Sequence, residues 1–90
     1  MYSFLMVENR TKIPAITIYG SDGVIFRDIL INEKTKPKQL PPGSLGIKIY
    51  DNFMKEVTSL WVPLVPYQSV SLIVYDDYIS IIPKESDEAF

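Results

Sequence analysis

Apolar and polar residues alternate with a period of two along most of this chain, a pattern typical of β-strands that bury one face. The clearest case follows the double-proline turn at 41–43. There, Leu45, Ile47 and Ile49 share one face of the predicted strand, and Lys48 lies on the other. No long stretch has a helical period, and seven prolines spread through 90 residues would interrupt most helices. The sequence therefore predicts an all-β fold.

Turn-forming residues divide this pattern into seven or eight short strands. Strands are predicted at 3–8, 14–19, 24–27, 45–51, 57–62, 69–75 and 78–82, with a brief strand at 38–40. Residues 28–31 are either a short strand or a turn of 3₁₀ helix. Pro63 and Pro83 are expected to end the strands before them, because proline cannot donate to a sheet ladder. Turns about every 8–12 residues favour a β-sandwich or a small barrel.

The chain is short enough to form a single domain of 90 residues. We expect the sandwich to occupy residues 1–83 and an acidic C-terminal tail to occupy residues 84–90. A hydrophobic content of 47% is too high for a disordered chain. The first residues lack the basic region of a signal peptide, and no run approaches about 18 apolar residues. Neither a signal peptide nor a membrane-spanning helix is therefore predicted.

The residue types that the sequence lacks exclude several chemistries. Cysteine and histidine are both absent, which removes disulfides, thiolate and imidazole metal sites, and Ser-His-Asp or Cys-His catalysis. Asp76-Asp77 is the closest carboxylate pair, but adjacent strand residues point to opposite faces, and such a pair at a hairpin usually serves the turn. We therefore predict that the protein is not an enzyme and uses no cofactor or metal.

Two charged features leave alternatives open. A calcium site could form if loops converged at one end of the sandwich, although the chain lacks a spaced Asp-x-Asp-x-Asp loop. Its ligands would come from Asp22, Asp28, Asp51, Asp76 and Asp77. The lysines at 34, 36 and 38 indicate a solvated loop, with docking of a ligand or partner as the alternative. The net charge of −2 argues against a nucleic-acid partner.

The order of the turns carries a resemblance to a known family. Pro14-Ala15 opens an alternating strand that ends in Tyr19, Leu40-Pro41-Pro42-Gly43 turns into the next long strand, and a last hairpin begins near Ser69. This order resembles a bacterial domain family of unknown function, often found in secreted or cell-wall-attached proteins, over about residues 6–82. The sequence departs from the family where Tyr67-Gln68 replaces the usual Gly-Lys.

The resemblance implies an immunoglobulin-like antiparallel β-sandwich of seven or eight short strands. It also implies a location in the cell envelope, although no signal peptide is visible in this chain. The family has no established activity, so the resemblance supplies no catalytic residues.

Large aromatic and apolar residues fall on the outward side of several predicted strands. If Val62 and its alternating neighbours face the core, Trp61 faces outward, and the same parity places Tyr50, Ile73 and Tyr75 outward. These four residues would form one row on a solvent-side face, provided that their strands are neighbours in one sheet. An apolar row on a polar surface usually marks an interface.

Three interpretations of that row remain open. The chain's own residues could cover it, for instance around Phe53 or Phe90. A second copy could pack against it, because Trp and Tyr are favoured interface anchors. Sugar rings could stack on Trp61 and a tyrosine.

The sequence therefore predicts a non-catalytic structural or protein-interaction module of a bacterial protein that can self-associate as a homodimer. The alternative is a carbohydrate- or peptide-binding module, with Tyr50, Trp61, Ile73 and Tyr75 as candidate contact residues in both cases. Neither a nucleic-acid partner nor membrane insertion is expected.

Overall fold

Eight strands build the protein, and the computed structural model describes residues 1–85. The strands are β1 (Ser3–Arg10), β2 (Ala15–Gly20), β3 (Gly23–Leu30), β4 (Lys38–Leu40), β5 (Gly43–Tyr50), β6 (Glu56–Leu64), β7 (Gln68–Tyr75) and β8 (Ile79–Glu85). Sheet A has the strand order β4-β1-β7-β8, and sheet B has the order β3-β2-β5-β6. The all-β sandwich predicted from the sequence is confirmed. Within residues 1–85, no helix is long and apolar enough to span a membrane.

The core lies between the two sheets and is built from the alternating apolar positions. Sheet A contributes Leu5, Val7, Val70, Leu72 and Val74, and sheet B contributes Ile16, Ile18, Ile29, Ile47, Ile49, Val62 and Leu64. None of these side chains is more than 3% exposed. Each fully buried side chain of this size contributes about 1.5–3 kcal/mol. The period of two along the strands is therefore what brings the sheets together face to face.

One strand pairing departs from the antiparallel expectation. β1 pairs with β7 in parallel, from Phe4 opposite Ser69 to Arg10 opposite Tyr75. Every other pairing between strands within residues 1–85 is antiparallel. The parallel pair joins segments far apart in the chain, so the sequence contains no hairpin turn that would predict it.

The predicted strand ends at Pro63 and Pro83 are wrong. Pro63 lies inside β6 and Pro83 lies inside β8. Both strands are at the edge of their sheet, where a residue without an N–H costs no ladder bond if that side faces solvent. The sandwich therefore extends to Glu85 rather than ending at residue 83. The rest of the predicted acidic tail, residues 86–90, lies outside the described residues.

Residues 28–31 mostly continue the third strand, which is one of the two structures expected for them. β3 runs to Leu30, and Asp28 has a positive φ of 53° at an irregularity in the pairing with β2. The Asp28 N–H donates to Thr17 Oγ1 at 3.2 Å, so a side chain replaces a ladder partner there. The bulge bends the outer edge of sheet B.

A buried polar cluster fixes the connection from β1 to β2. Asn9 is fully buried, and its Nδ2 donates to the carbonyl oxygens of Ile13 at 3.1 Å and Ile29 at 2.9 Å. Its Oδ1 accepts from the Thr11 N–H at 3.0 Å and from Thr11 Oγ1 at 2.6 Å. Asn9 therefore joins β1, the crossing loop and β3, and all its side-chain polar atoms are satisfied.

Candidate functional site

The four residues predicted to face outward do so, but they do not form one row. Trp61 is 71% exposed, while Tyr50, Ile73 and Tyr75 are half-buried. Tyr50 and Trp61 lie on sheet B, whereas Ile73 and Tyr75 lie on sheet A. The two pairs therefore face opposite sides of the sandwich, and the prediction of a single row is wrong. Alternation sets which side of a strand a residue occupies but not which strands are neighbours.

The suggestion that Phe53 covers the aromatic row is also wrong. Phe53 is 83% exposed at the hairpin between β5 and β6. Phe90, the other candidate cover, lies outside the described residues.

Sheet B carries the most exposed large aromatic side chain of the strands. Trp61 on β6 lies opposite Gly46 on β5. A Cβ atom added to Gly46 would lie 3.0 Å from Cζ3 of Trp61 and 3.1 Å from its Cη2, so the indole rests on the glycine backbone. An aromatic ring that covers a strand glycine in this way stabilises the sheet. This contact also holds the ring in place while leaving most of it open to solvent.

Next to the indole lies a shallow depression of about 500 Å³, which we call the aromatic groove. Tyr19 and Trp61 both line it. Gly46 lies on β5, the strand between theirs. Lys48 and Ser59 supply polar groups. Its further lining residues are Gly20, Ser21, Ser44, Leu45, Ile47 and Leu60. Aromatic side chains with a few polar groups are the usual lining of a binding site.

Neighbouring contacts hold the groove in shape. Tyr19 packs edge-on against Tyr50, with ring centroids 4.9 Å apart and an interplanar angle of 72°. Lys48 Nζ lies 3.8 Å from Glu56 Oε1, but both side chains are about half exposed (60% and 45%). An ion pair this exposed contributes little stability, so Lys48 is free to meet another acceptor.

Sequence reasoning missed Tyr19 and Gly46 as site residues. Both had a usable signal. Ile16 and Ile18 are buried, so Tyr19 falls on the outward side of β2 by the same parity that places Trp61. A glycine inside a strand, such as Gly46, often marks the close approach of another group.

The outer face of sheet A offers a different set of contacts. The Arg10 guanidinium donates a hydrogen bond to Glu8, and this bond and the carboxylate charge raise the pKa of Arg10 above its already high value. Tyr75 stacks on Tyr78, with centroids 4.6 Å apart. Tyr75 is thus stacked on a neighbour of its own sheet, and Ile73 lies half-buried on the same outer face.

Two of the aspartates, Asp51 and Asp76, accept hydrogen bonds from loop backbone. Asp76 Oδ1 accepts from the Lys12 N–H at 2.9 Å, and Asp51 Oδ1 accepts from the N–H groups of Phe53 at 2.8 Å and Lys55 at 2.9 Å. Across residues 1–85, no three His, Cys, Asp or Glu side chains are placed to hold a metal ion.

Fold and site together define a two-sheet β-sandwich with an aromatic groove on one outer face. A scan against protein-family models and a search of curated proteins both gave no match.

Proposed function

We propose that this chain is a non-catalytic interaction module of a bacterial protein that binds another protein through the outer face of sheet B. The observation that carries this proposal is the 71% exposure of Trp61 beside the aromatic groove. Tryptophan and tyrosine bury a large area with few rotatable bonds, which makes them favoured anchors of protein interfaces. Tyr19 and Trp61 would provide the apolar centre, with Lys48 and Ser59 as polar contacts.

The finer assignments belong to the same proposal. An immunoglobulin-like arrangement is supported by two four-stranded sheets that enclose one core. A place in the bacterial cell envelope rests on the resemblance of the turn order. The absence of histidine and cysteine supports a role without catalysis.

A pair of matched variants tests the docking surface. Trp61→Ala removes the exposed indole of sheet B, and Tyr67→Ala removes a ring that is 58% exposed in the turn before β7. We expect both variants to keep the far-ultraviolet circular dichroism spectrum of the wild type. A protein partner identified by affinity capture should then lose binding to Trp61→Ala by about tenfold or more, a loss of about 1.4 kcal/mol, and bind Tyr67→Ala normally. Equal binding of the partner to both variants would contradict the proposal.

A carbohydrate ligand is the second candidate, favoured by one feature of the groove. An exposed indole faces solvent beside the hydroxyl of Ser59 and the ammonium of Lys48, all within the same depression. Sugar rings combine an apolar face with hydroxyl groups, so they match this mixture of contacts.

Fluorescence separates the two candidates. Trp61 is the single tryptophan of the chain, so its emission reports on the groove directly. Titration with soluble cell-wall polysaccharides should shift or quench this emission if the ligand is a glycan. An unchanged spectrum across the polysaccharide panel, with retained binding of a protein partner, would leave only the first candidate.

A further inference from the structure

Within residues 1–85, four strands form the edges of the two sheets, and three of them have features that discourage pairing with another chain. β4 has only three residues, and beyond it the segment 31–37 bonds to β1, with the Thr35 N–H donating to the Val7 carbonyl at 2.9 Å. β3 carries the bulge at Asp28, and Lys38 Nζ donates to its Ile25 carbonyl at 3.1 Å. β6 begins at the charged Glu56 and has hydroxyl side chains near its middle. Bulges, charges and short lengths are the usual protections of a sheet edge.

β8 carries Pro83 and Lys84 in its second half, but its first half is an edge segment that lacks such protection. Its first four residues, 79–82, are Ile-Ser-Ile-Ile, without a charge or glycine. Its register with β7 is regular from Ile79 to Glu85. Ile81 is 37% exposed and Ile82 is 47% exposed, although they point to opposite faces of the sheet. A strand that is apolar on both faces and open at its edge is a template for another strand.

The free backbone groups of β8 can be identified from the hairpin. The Tyr75 N–H donates to the Tyr78 carbonyl at 2.9 Å, so this pair is a hydrogen-bonded one. Bonded and non-bonded pairs alternate along an antiparallel ladder. Ile79 and Ile81 therefore direct their N–H and C=O groups away from β7, and so does Pro83, which has no N–H to lose there.

We propose that β8 pairs antiparallel with β8 of a second copy of this chain and joins the two sheets A into one continuous sheet. In the register that satisfies the free groups, Ile79 of each copy exchanges both backbone hydrogen bonds with Ile81 of the other. Ser80 then faces Ser80 across the two-fold axis. Pro83 of one copy lies opposite Asp77 of the other. Asp77 precedes β8, so the proline ring lies beyond the paired residues and does not interrupt the ladder.

Side chains support the same register. Ile82 of one copy comes opposite Tyr78 of the other, on the outer face of the joined sheet. Tyr78 is 62% exposed and is held by its stacking on Tyr75, so a second copy would cover an apolar surface that is already ordered. This dimer leaves the aromatic groove open, since the groove lies on sheet B.

A single cysteine can report on this pairing, because the chain has none of its own. Ser80 faces its copy in a non-hydrogen-bonded pair, whose Cα atoms lie about 4.5 Å apart, a distance that a disulfide spans. Ser80→Cys should therefore form a covalent dimer under mild oxidation. Ser59→Cys is the matched control, a serine on the edge strand β6 of the other sheet. Cross-linking of Ser80→Cys no faster than that of Ser59→Cys would overturn the proposal.

Sedimentation equilibrium over a wide range of chain concentrations gives an independent test. We expect the wild type to dimerise and Ile82→Lys to raise the dimer dissociation constant by about tenfold or more, because a charged side chain would replace the apolar contact that Ile82 makes opposite Tyr78 of the other copy. Val57→Lys is the control, since Val57 is 46% exposed on β6, an edge strand of sheet B. Trp61→Ala should leave the dimer intact. A monomeric wild type, or a dimer that Trp61→Ala abolishes, would contradict pairing through β8.

Discussion

Asn9 and Trp61 are both placed against the usual preference of their residue types, and their surroundings differ in an instructive way. Asn9 is a polar residue with no exposed surface, and each polar atom of its side chain has a hydrogen-bond partner. Trp61 is a large aromatic residue that is 71% exposed and rests on Gly46. Buried polar groups and exposed large apolar groups are the placements that carry information.

The difference separates a structural role from a binding role. Removing a satisfied buried group leaves its buried partners unsatisfied, so the cost falls on folding. Removing an exposed ring uncovers little that was buried, so its cost falls on whatever the ring contacts outside the molecule. The comparison therefore predicts that variants at Asn9 affect stability and variants at Trp61 affect binding.

The largest effect is expected for Asn9→Leu. Leucine has the same branched shape but cannot form hydrogen bonds, so the carbonyls of Ile13 and Ile29 and both donors of Thr11 lose their partner. Each unsatisfied buried group costs about 1–3 kcal/mol, and we expect a total loss of about 3 kcal/mol or more in the free energy of unfolding. Urea denaturation measures this loss.

The exposed Asn52 supplies the control for that experiment. Asn52→Leu should change the free energy of unfolding by less than about 0.5 kcal/mol. If Asn9→Leu were as stable as Asn52→Leu, the polar cluster would not hold β1 to the crossing loop.

A smaller loss in the free energy of unfolding is expected for Thr11→Val, which tests the same buried polar cluster as Asn9→Leu. The Thr11 hydroxyl donates to Asn9 Oδ1 at 2.6 Å and accepts from the Ile13 N–H at 3.0 Å. Valine keeps the shape and removes both bonds, so the variant should lose about 1–2 kcal/mol, again by urea denaturation. Thr58→Val, a half-buried position on β6, is the control and should stay within about 0.5 kcal/mol of the wild type.

How far the sequence predicts these features depends on how local each one is. The outward direction of Trp61 follows from the period of two and needs no knowledge of the fold. The partnership of Trp61 with Gly46 depends on the register between β5 and β6, and the burial of Asn9 depends on contacts with β3, twenty residues away. Pro83 was misjudged for the same reason, because only the sheet order reveals that β8 is an edge. Alternation can be recognised from neighbouring residues, whereas the order of the strands depends on contacts between residues that are far apart in the sequence.

The smallest effect on stability is expected for Gly46→Ala, which disturbs the contact between the exposed Trp61 ring and the backbone. The new methyl group would lie 3.0 Å from Cζ3 of Trp61, tighter than carbon atoms normally approach, so the ring must move outward. Alanine favours a strand over glycine by about 0.5–1 kcal/mol, which offsets the loss of contact with the indole, and the net change should stay within about 1 kcal/mol. Acrylamide should quench Trp61 more strongly in the variant, because the ring no longer rests on the backbone.

A double-mutant cycle of Gly46→Ala with Trp61→Ala isolates this contact. Without the indole, the methyl group at position 46 meets no ring, so Gly46→Ala should then stabilise the chain by the full strand preference of about 0.5–1 kcal/mol. The coupling energy between the two positions would measure how much the contact between the indole and Gly46 contributes to stability. A coupling energy near zero would mean that the ring does not lean on Gly46 in solution, and the preorganised groove would lose its physical basis.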